Sequence, residues 1–187
     1  MILPIVAYGD PVLKTKATNI DKDYPGLEEL INNMWETMYH ANGVGLAAPQ
    51  VGKSIRLFMV DASPFDDEDP KLAGFKKVFI NPVILEQWGK EWIFNEGCLS
   101  FPDLREDIYR LPNIRIKYFD ENFTAHEDEF DGLSARIIQH EYDHVEGIVM
   151  VDRISPLKRR LIRNKLANIS KGAVNPDYPM KYPLRKR

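Results

Sequence analysis

The chain has 187 residues, 44% of them hydrophobic and 28% charged, with a net charge of −3. This is the balance of an ordinary globular protein, which disfavours disordered and fibrous classes, and the length suits a single domain over residues 1–187. No run approaches the ~20 apolar residues that cross a bilayer, so no membrane role is expected. The opening "MILPIVAYGDPVLK" has no basic leader, and Pro4 breaks its apolar run. The single cysteine, Cys98, cannot close an intramolecular disulfide, which fits a reducing cytoplasm.

In chain order, "PGLEELINNMWETMYHANG" (25–43) predicts a helix. Pro25 opens it, Leu27, Leu30, Ile31, Met34 and Met38 recur at helical spacing, and Asn42 and Gly43 stop it. "GVGLAAPQVG" (43–52) follows. It has no Lys-Ser or Lys-Thr ending and no obvious following helix, so it does not read as a phosphate loop. Its small residues, Gly43, Gly45, Ala47 and Ala48, let backbone approach a ligand or another segment closely, and Gln50 adds an amide.

"IRLFMVD" (55–61) predicts a strand, and "SPFDDEDPKLAGF" (63–75) an acidic loop. "KVFINPVILEQWG", "EWIFNEG" and "NIRIKYFDENFTAHEDEF" contain short strands, the last reversing at "DEN". Cys98 sits in "NEGCLSFP", a strand end turning into a loop; alone it reads as a small buried hydrophobe. Helix returns from about Leu133 and stops at Gly147.

That helix carries "IIQHEYDHVEG" (137–147). His140 and His144 are four residues apart and share one face, with Glu141 at its edge. Two imidazoles so placed can chelate one metal ion; the alternative is two ordinary histidines with a salt-bridging glutamate. A metal centre needs a further protein ligand. His40 ends the first helix and His126 lies in a polar strand, and neither neighbourhood looks prepared for a metal. One thiolate from Cys98 with two imidazoles suits a divalent first-row metal and leaves a position open to water, as catalytic sites do.

Beyond it, Pro156 opens a basic helix, packed by Leu157, Leu161, Leu166 and Ile169, and "NPDYPMKYP" reads as an irregular tail. Ser155 to Arg187 holds ten Lys or Arg against one acid, while the rest of the chain holds 27 acids against 15 bases. A basic end on an acidic body fits contact with a polyanion, and equally a solvated helix face. The expected architecture is α+β: mostly antiparallel, short-stranded sheets packed around a central metal-binding helix, with one N-terminal and one C-terminal helix.

Three separated segments, "GVGLAAPQ" (43–50), "EGCLS" (96–100) and "QHEYDH" (139–144), resemble the signature motifs of peptide deformylases in order and approximate spacing. The resemblance covers most of residues 1–170. It implies a metal-dependent hydrolase that removes the N-formyl group from the formylmethionine of newly made polypeptides, releasing formate. It further implies one divalent ion per chain, Fe(II) physiologically with Zn, Ni or Co in purified protein, held by Cys98, His140 and His144. Glu141 would serve as general base and acid, and Gln50 and the Leu99 backbone N–H would stabilise the oxyanion. Gly43, Val44, Gly45 and Gly97 would pair with an extended peptide, whose methionine would enter a pocket near Val44, Leu133, Ile137 and His140. Arg105 either lines this cleft or is a surface arginine. The acidic loop and the tail after Gly172 receive no role.

The partners expected are formylmethionyl nascent chains and, through the basic helix, the ribosome, with no DNA and no membrane, in a bacterial cytoplasm. Two rival readings remain. "HEYDH" also satisfies the H-E-x-x-H pattern of metallopeptidases, which calls for a later His or Glu ligand; only Glu146 is near. A structural metal module would instead need His40, His126 or an acid as fourth ligand.

Overall fold

The computed structural model describes residues 1–184. The chain runs through β1 (Ile5–Val6), α1 (Leu27–His40), β2 (Gly45–Ala47), β3 (Leu57–Asp61), β4 (Lys76–Trp88), β5 (Trp92–Gly97), β6 (Arg105–Arg110), β7 (Asn113–Phe119), β8 (Ala125–Asp131), α2 (Gly132–Val145), α3 (Pro156–Leu161), α4 (Arg163–Lys171) and β9 (Met180–Lys181). Five strands form one antiparallel sheet in the order β2-β3-β4-β7-β8, and β5 and β6 form a separate antiparallel pair. The expected α+β architecture is what the chain adopts.

The two-residue period of β3 explains the layering. The strand is buried along its whole length, so alternate side chains serve opposite faces. Leu57 and Met59 pack with Ile31, Met34 and Met38 of α1. Phe58 and Val60 pack with Ala135, Ile137, Ile138 and Val145 of α2. Each of these side chains other than Ala135 contributes about 1.5–3 kcal/mol when fully buried, and together they clamp the sheet between the two helices. α2 is thereby central, as expected. It stops at Gly147, whose φ of +74° and 2.9 Å spacing between an added Cβ and the Lys14 carbonyl oxygen leave room only for glycine.

Several expectations fail near the C-terminus and in the loops. The basic segment is two helices, because Ile162 leaves the helical region (φ −93°, ψ 7°) and plugs a core instead. The break takes α3 off the body: Leu157 is 69% exposed and Leu161 74%, while Leu166 and Ile169 of α4 are buried. The tail is not irregular. β9 pairs parallel with β1, and the Ile5 N–H donates to the Pro179 carbonyl at 2.8 Å. A two-residue strand between prolines has no period to detect. A 3-10 turn, Ala48–Val51, follows β2 where no helix was expected, and two more, Ser63–Phe65 and Pro70–Leu72, structure the acidic loop. Among the described residues no helix is long and apolar enough to cross a membrane. Arg185, Lys186 and Arg187, part of the basic surplus, lie outside the described residues.

Candidate active site

α2 turns His140 and His144 towards the end of β5, where the chain leaves Gly97 and reaches Cys98. Cys98 Sγ lies 3.3 Å from His144 Nε2, and one ligand-capable atom from each of Cys98, His140 and His144 falls within 4.8 Å of the others. His140 Nδ1 bonds Glu96 Oε2 at 2.9 Å, so its Nε2 is left for the cluster, with the carboxylate fixing the ring as metal-binding histidines require. Burial, then the charges of His140 and Arg110, push His144 well below its ordinary pKa, which favours the neutral form that binds metal; burial lowers His140 too, but its bonds to Cys98 and Glu96 outweigh that and raise it, a balance that a bound cation would reverse. A thiolate and two imidazoles, converging and oriented in this way, fit a divalent ion.

Glu141 lies beside this group, 4% exposed, and its Oε2 has no hydrogen-bond partner among the described residues. Burial pushes its carboxyl up to about 7; a nearby cation would draw it down. β2 makes the space: a Cβ on Gly45 would stand 2.8 Å from Glu141 Cδ. Gln50 accepts from the Ala47 N–H through Oε1 at 2.9 Å, which aims its Nε2 at Ser100 Oγ (3.3 Å) and Cys98 Sγ (3.6 Å).

A cavity of about 480 Å³ opens over these groups. Gly43, Val44, Gly45, Gly97, Leu133 and Ile137 line it, with Gln50, Cys98, Leu99, His140 and Glu141. β2 is an edge of the large sheet, and among the described residues β5 pairs only with β6, so both strands beside the cleft keep an open edge.

A family model described as polypeptide deformylase matches residues 2–160. A peptide deformylase of Christiangramia forsetii is 60% identical across 100% of this chain and 99% of its own length. One from Flavobacterium psychrophilum is 58% identical across 100% of both. Among solved structures, a peptide deformylase from Legionella pneumophila superposes with a TM-score of 0.80 at 38% identity, covering 94% of this chain and 100% of that one. The chain belongs to the peptide deformylase family.

As a peptide deformylase it is a hydrolase of a metal-dependent family, and both rival readings lose their support. Glu146, the acid a metallopeptidase would use, is paired with Arg56 (2.6 Å) and Lys16 (2.8 Å). Neither His40 nor His126 joins the cluster; His126 bonds Asp120 at 2.9 Å. Arg105 combines both of its readings: it is exposed, bonds Asn95 and lines the deformylase cleft beside Gly97.

The deformylase site also has a supporting network that sequence reasoning missed. Glu96 accepts from Arg110 Nε (2.7 Å), Arg110 Nη2 (3.0 Å) and Arg136 Nη1 (2.6 Å) besides meeting His140. Burial pushes Glu96 up, but the bonds from His140 and Arg110 outweigh it and hold the carboxyl well below the usual range. Arg110 continues to Asp143 on α2 at 2.9 Å, and Arg153 closes on the same carboxylate. The signal was present in "REDIYR": its alternation buries Glu106, Ile108 and Arg110, and charges at inward positions demand partners. Phe65 from the acidic loop and Tyr178 from the tail also line the cleft; no local pattern announced either.

Proposed function

We propose that this deformylase removes the formyl group from N-terminal formylmethionine, with Cys98, His140 and His144 holding one divalent ion, Fe(II) in the cell. Residues 1–187 act as one catalytic domain. The observation that carries the reading is the buried Glu141, whose Oε2 has no hydrogen-bond partner among the described residues, beside the convergent Cys98, His140 and His144.

Cys98, His140 and His144 would hold the ion, which when bound would supply the Lewis acidity that makes a water nucleophilic near neutral pH. Glu141 takes the water proton and returns it to the departing amine, which must leave protonated. Charge grows on the formyl oxygen as the carbon becomes tetrahedral. The Gln50 amide is aimed by Ala47, and the Leu99 N–H makes no other hydrogen bond among the described residues; these two donors stabilise that charge. The open edges of β2 and β5 accept an extended peptide through Gly43, Val44, Gly45 and Gly97 as an added strand. Val44, Leu133 and Ile137 form the apolar wall for the methionine side chain.

The enzyme acts in the cytoplasm on chains leaving the ribosome, and its basic end meets ribosomal RNA. Exposed α3 supports this contact. Lys158 and Arg159 pair with Glu106 and Asp152, but Arg160, Arg163 and Lys165 make no ion pair among the described residues. Arg159, Arg160, Arg163 and Lys171 also line a basic cavity of about 420 Å³. The test of the catalytic reading is formate release from a formyl-Met peptide with iron kept reduced. The unformylated peptide should give none; internal cleavage of either peptide would overturn the assignment.

A further inference from the structure

The segment 98–101 is held by one bond of its own and by two from positions remote in sequence. The Phe101 N–H donates to the Cys98 carbonyl at 2.8 Å, and the Tyr8 N–H to the Ser100 carbonyl at 2.9 Å. The carbonyl between them, that of Leu99, accepts from the Tyr178 hydroxyl at 2.9 Å. Tyr178 lies 79 residues away in the chain and beyond residue 160, where the family match ends. It reaches this place because β9 pairs with β1, two residues ahead of Tyr8. Its ring packs against the same core cluster as Leu99, and both residues line the cavity. A neutral phenol is a good donor and is protonated at working pH.

We propose that Tyr178 is a positioning residue for the reaction: its hydroxyl fixes the Leu99 carbonyl, and so the backbone just after Leu99, while the Phe101 N–H holds the preceding plane through the Cys98 carbonyl, and with both sides of Leu99 held its N–H keeps its aim at the oxyanion. The inference rests on Leu99 serving as an oxyanion donor. An N–H so used stabilises only the transition state, and its value depends on alignment within a fraction of an ångström. Three hydrogen bonds hold the turn, and Tyr178 supplies the one that fixes the carbonyl of the donor residue itself. Losing the hydroxyl frees the Leu99–Ser100 peptide plane to rock about the Leu99 Cα, which loosens the adjoining plane that carries the donor N–H without emptying the wall the ring provides. The expected signature is therefore slower turnover with unchanged substrate binding.

The test is Tyr178→Phe in the full-length, metal-loaded chain, compared with the parent and with Gln50→Ala. For Tyr178→Phe, kcat for a formyl-Met peptide should fall about 10-fold with KM within twofold. Metal content and thermal midpoint should match the parent. In the zinc form, the amide resonance of Ser100, whose nitrogen shares a peptide plane with the Leu99 carbonyl, should shift. Unchanged kcat in Tyr178→Phe while Gln50→Ala is slow overturns this inference alone. If both variants run at the parent rate, the oxyanion reading fails with it. A rise in KM at constant kcat would make Tyr178 only a wall, and loss of metal or a lowered midpoint would make it a structural tie; either refutes positioning.

Discussion

Replacing Glu96 with Gln removes one charge from the centre of the deformylase network while keeping its volume. The carboxylate is 6% exposed and engages Arg110 twice, Arg136 once and His140 once. An amide can offer one oxygen to these donors but turns its NH2 on the rest. Breaking a buried pair leaves uncompensated charge and typically costs about 3–5 kcal/mol. Arg110 keeps Asp143, and Arg136 keeps the carbonyls of Ile108 and Trp92, so the lower end applies. For a chain of this size about 3 kcal/mol lowers the midpoint by roughly 6–12 °C. His140 also loses the group that orients its ring, so metal affinity should fall about 10–100-fold. Thermal unfolding of chelator-stripped protein reads the first effect without interference from metal, and competitive metal titration reads the second. A midpoint within about 2 °C of the parent, with affinity unchanged, would refute the argument that this network holds both the fold and the histidine.

Glu141→Ala should keep about one metal ion per chain while kcat falls about 10²-fold or more; a metal-free, unfolded product would make Glu141 a structural or ligating residue. The iron form should lose activity under peroxide through oxidation of iron or the Cys98 sulfur, while a nickel form persists, and equal lifetimes would count against iron–thiolate ligation. Reversing Lys158, Arg159 and Arg160 to Glu should weaken ribosome co-sedimentation, whose salt dependence reports released counterions. Hydrolysis of a short formyl-peptide should be spared, and unchanged co-sedimentation would leave α3 as a solvated face.

Local chemistry made part of this protein readable from its sequence. The four-residue spacing of His140 and His144 presupposes only a helix, and α2 is one. The apolar spacing of α1 and the hairpin reversal between β7 and β8 are equally local, since each depends on neighbours within a few residues. Cys98 is different: nothing in its neighbourhood says that it meets His144, 46 residues on, and what joined them beforehand was the need of a two-histidine site for a further ligand together with the family resemblance. The tertiary structure alone decided which side chains support the site. Glu96 draws Arg110 and Arg136 from two other elements, because a buried charge takes its partners wherever packing delivers them. Leu157 and Leu161 look like core by spacing, yet the turn at Ile162 leaves them in water. Tyr178 sits in a stretch with no period at all and reaches Leu99 only because β9 lies along β1. Periodicity encodes which face of an element is apolar; which distant segment covers that face, and what it brings to the cleft, follows from long-range packing that no window of sequence contains.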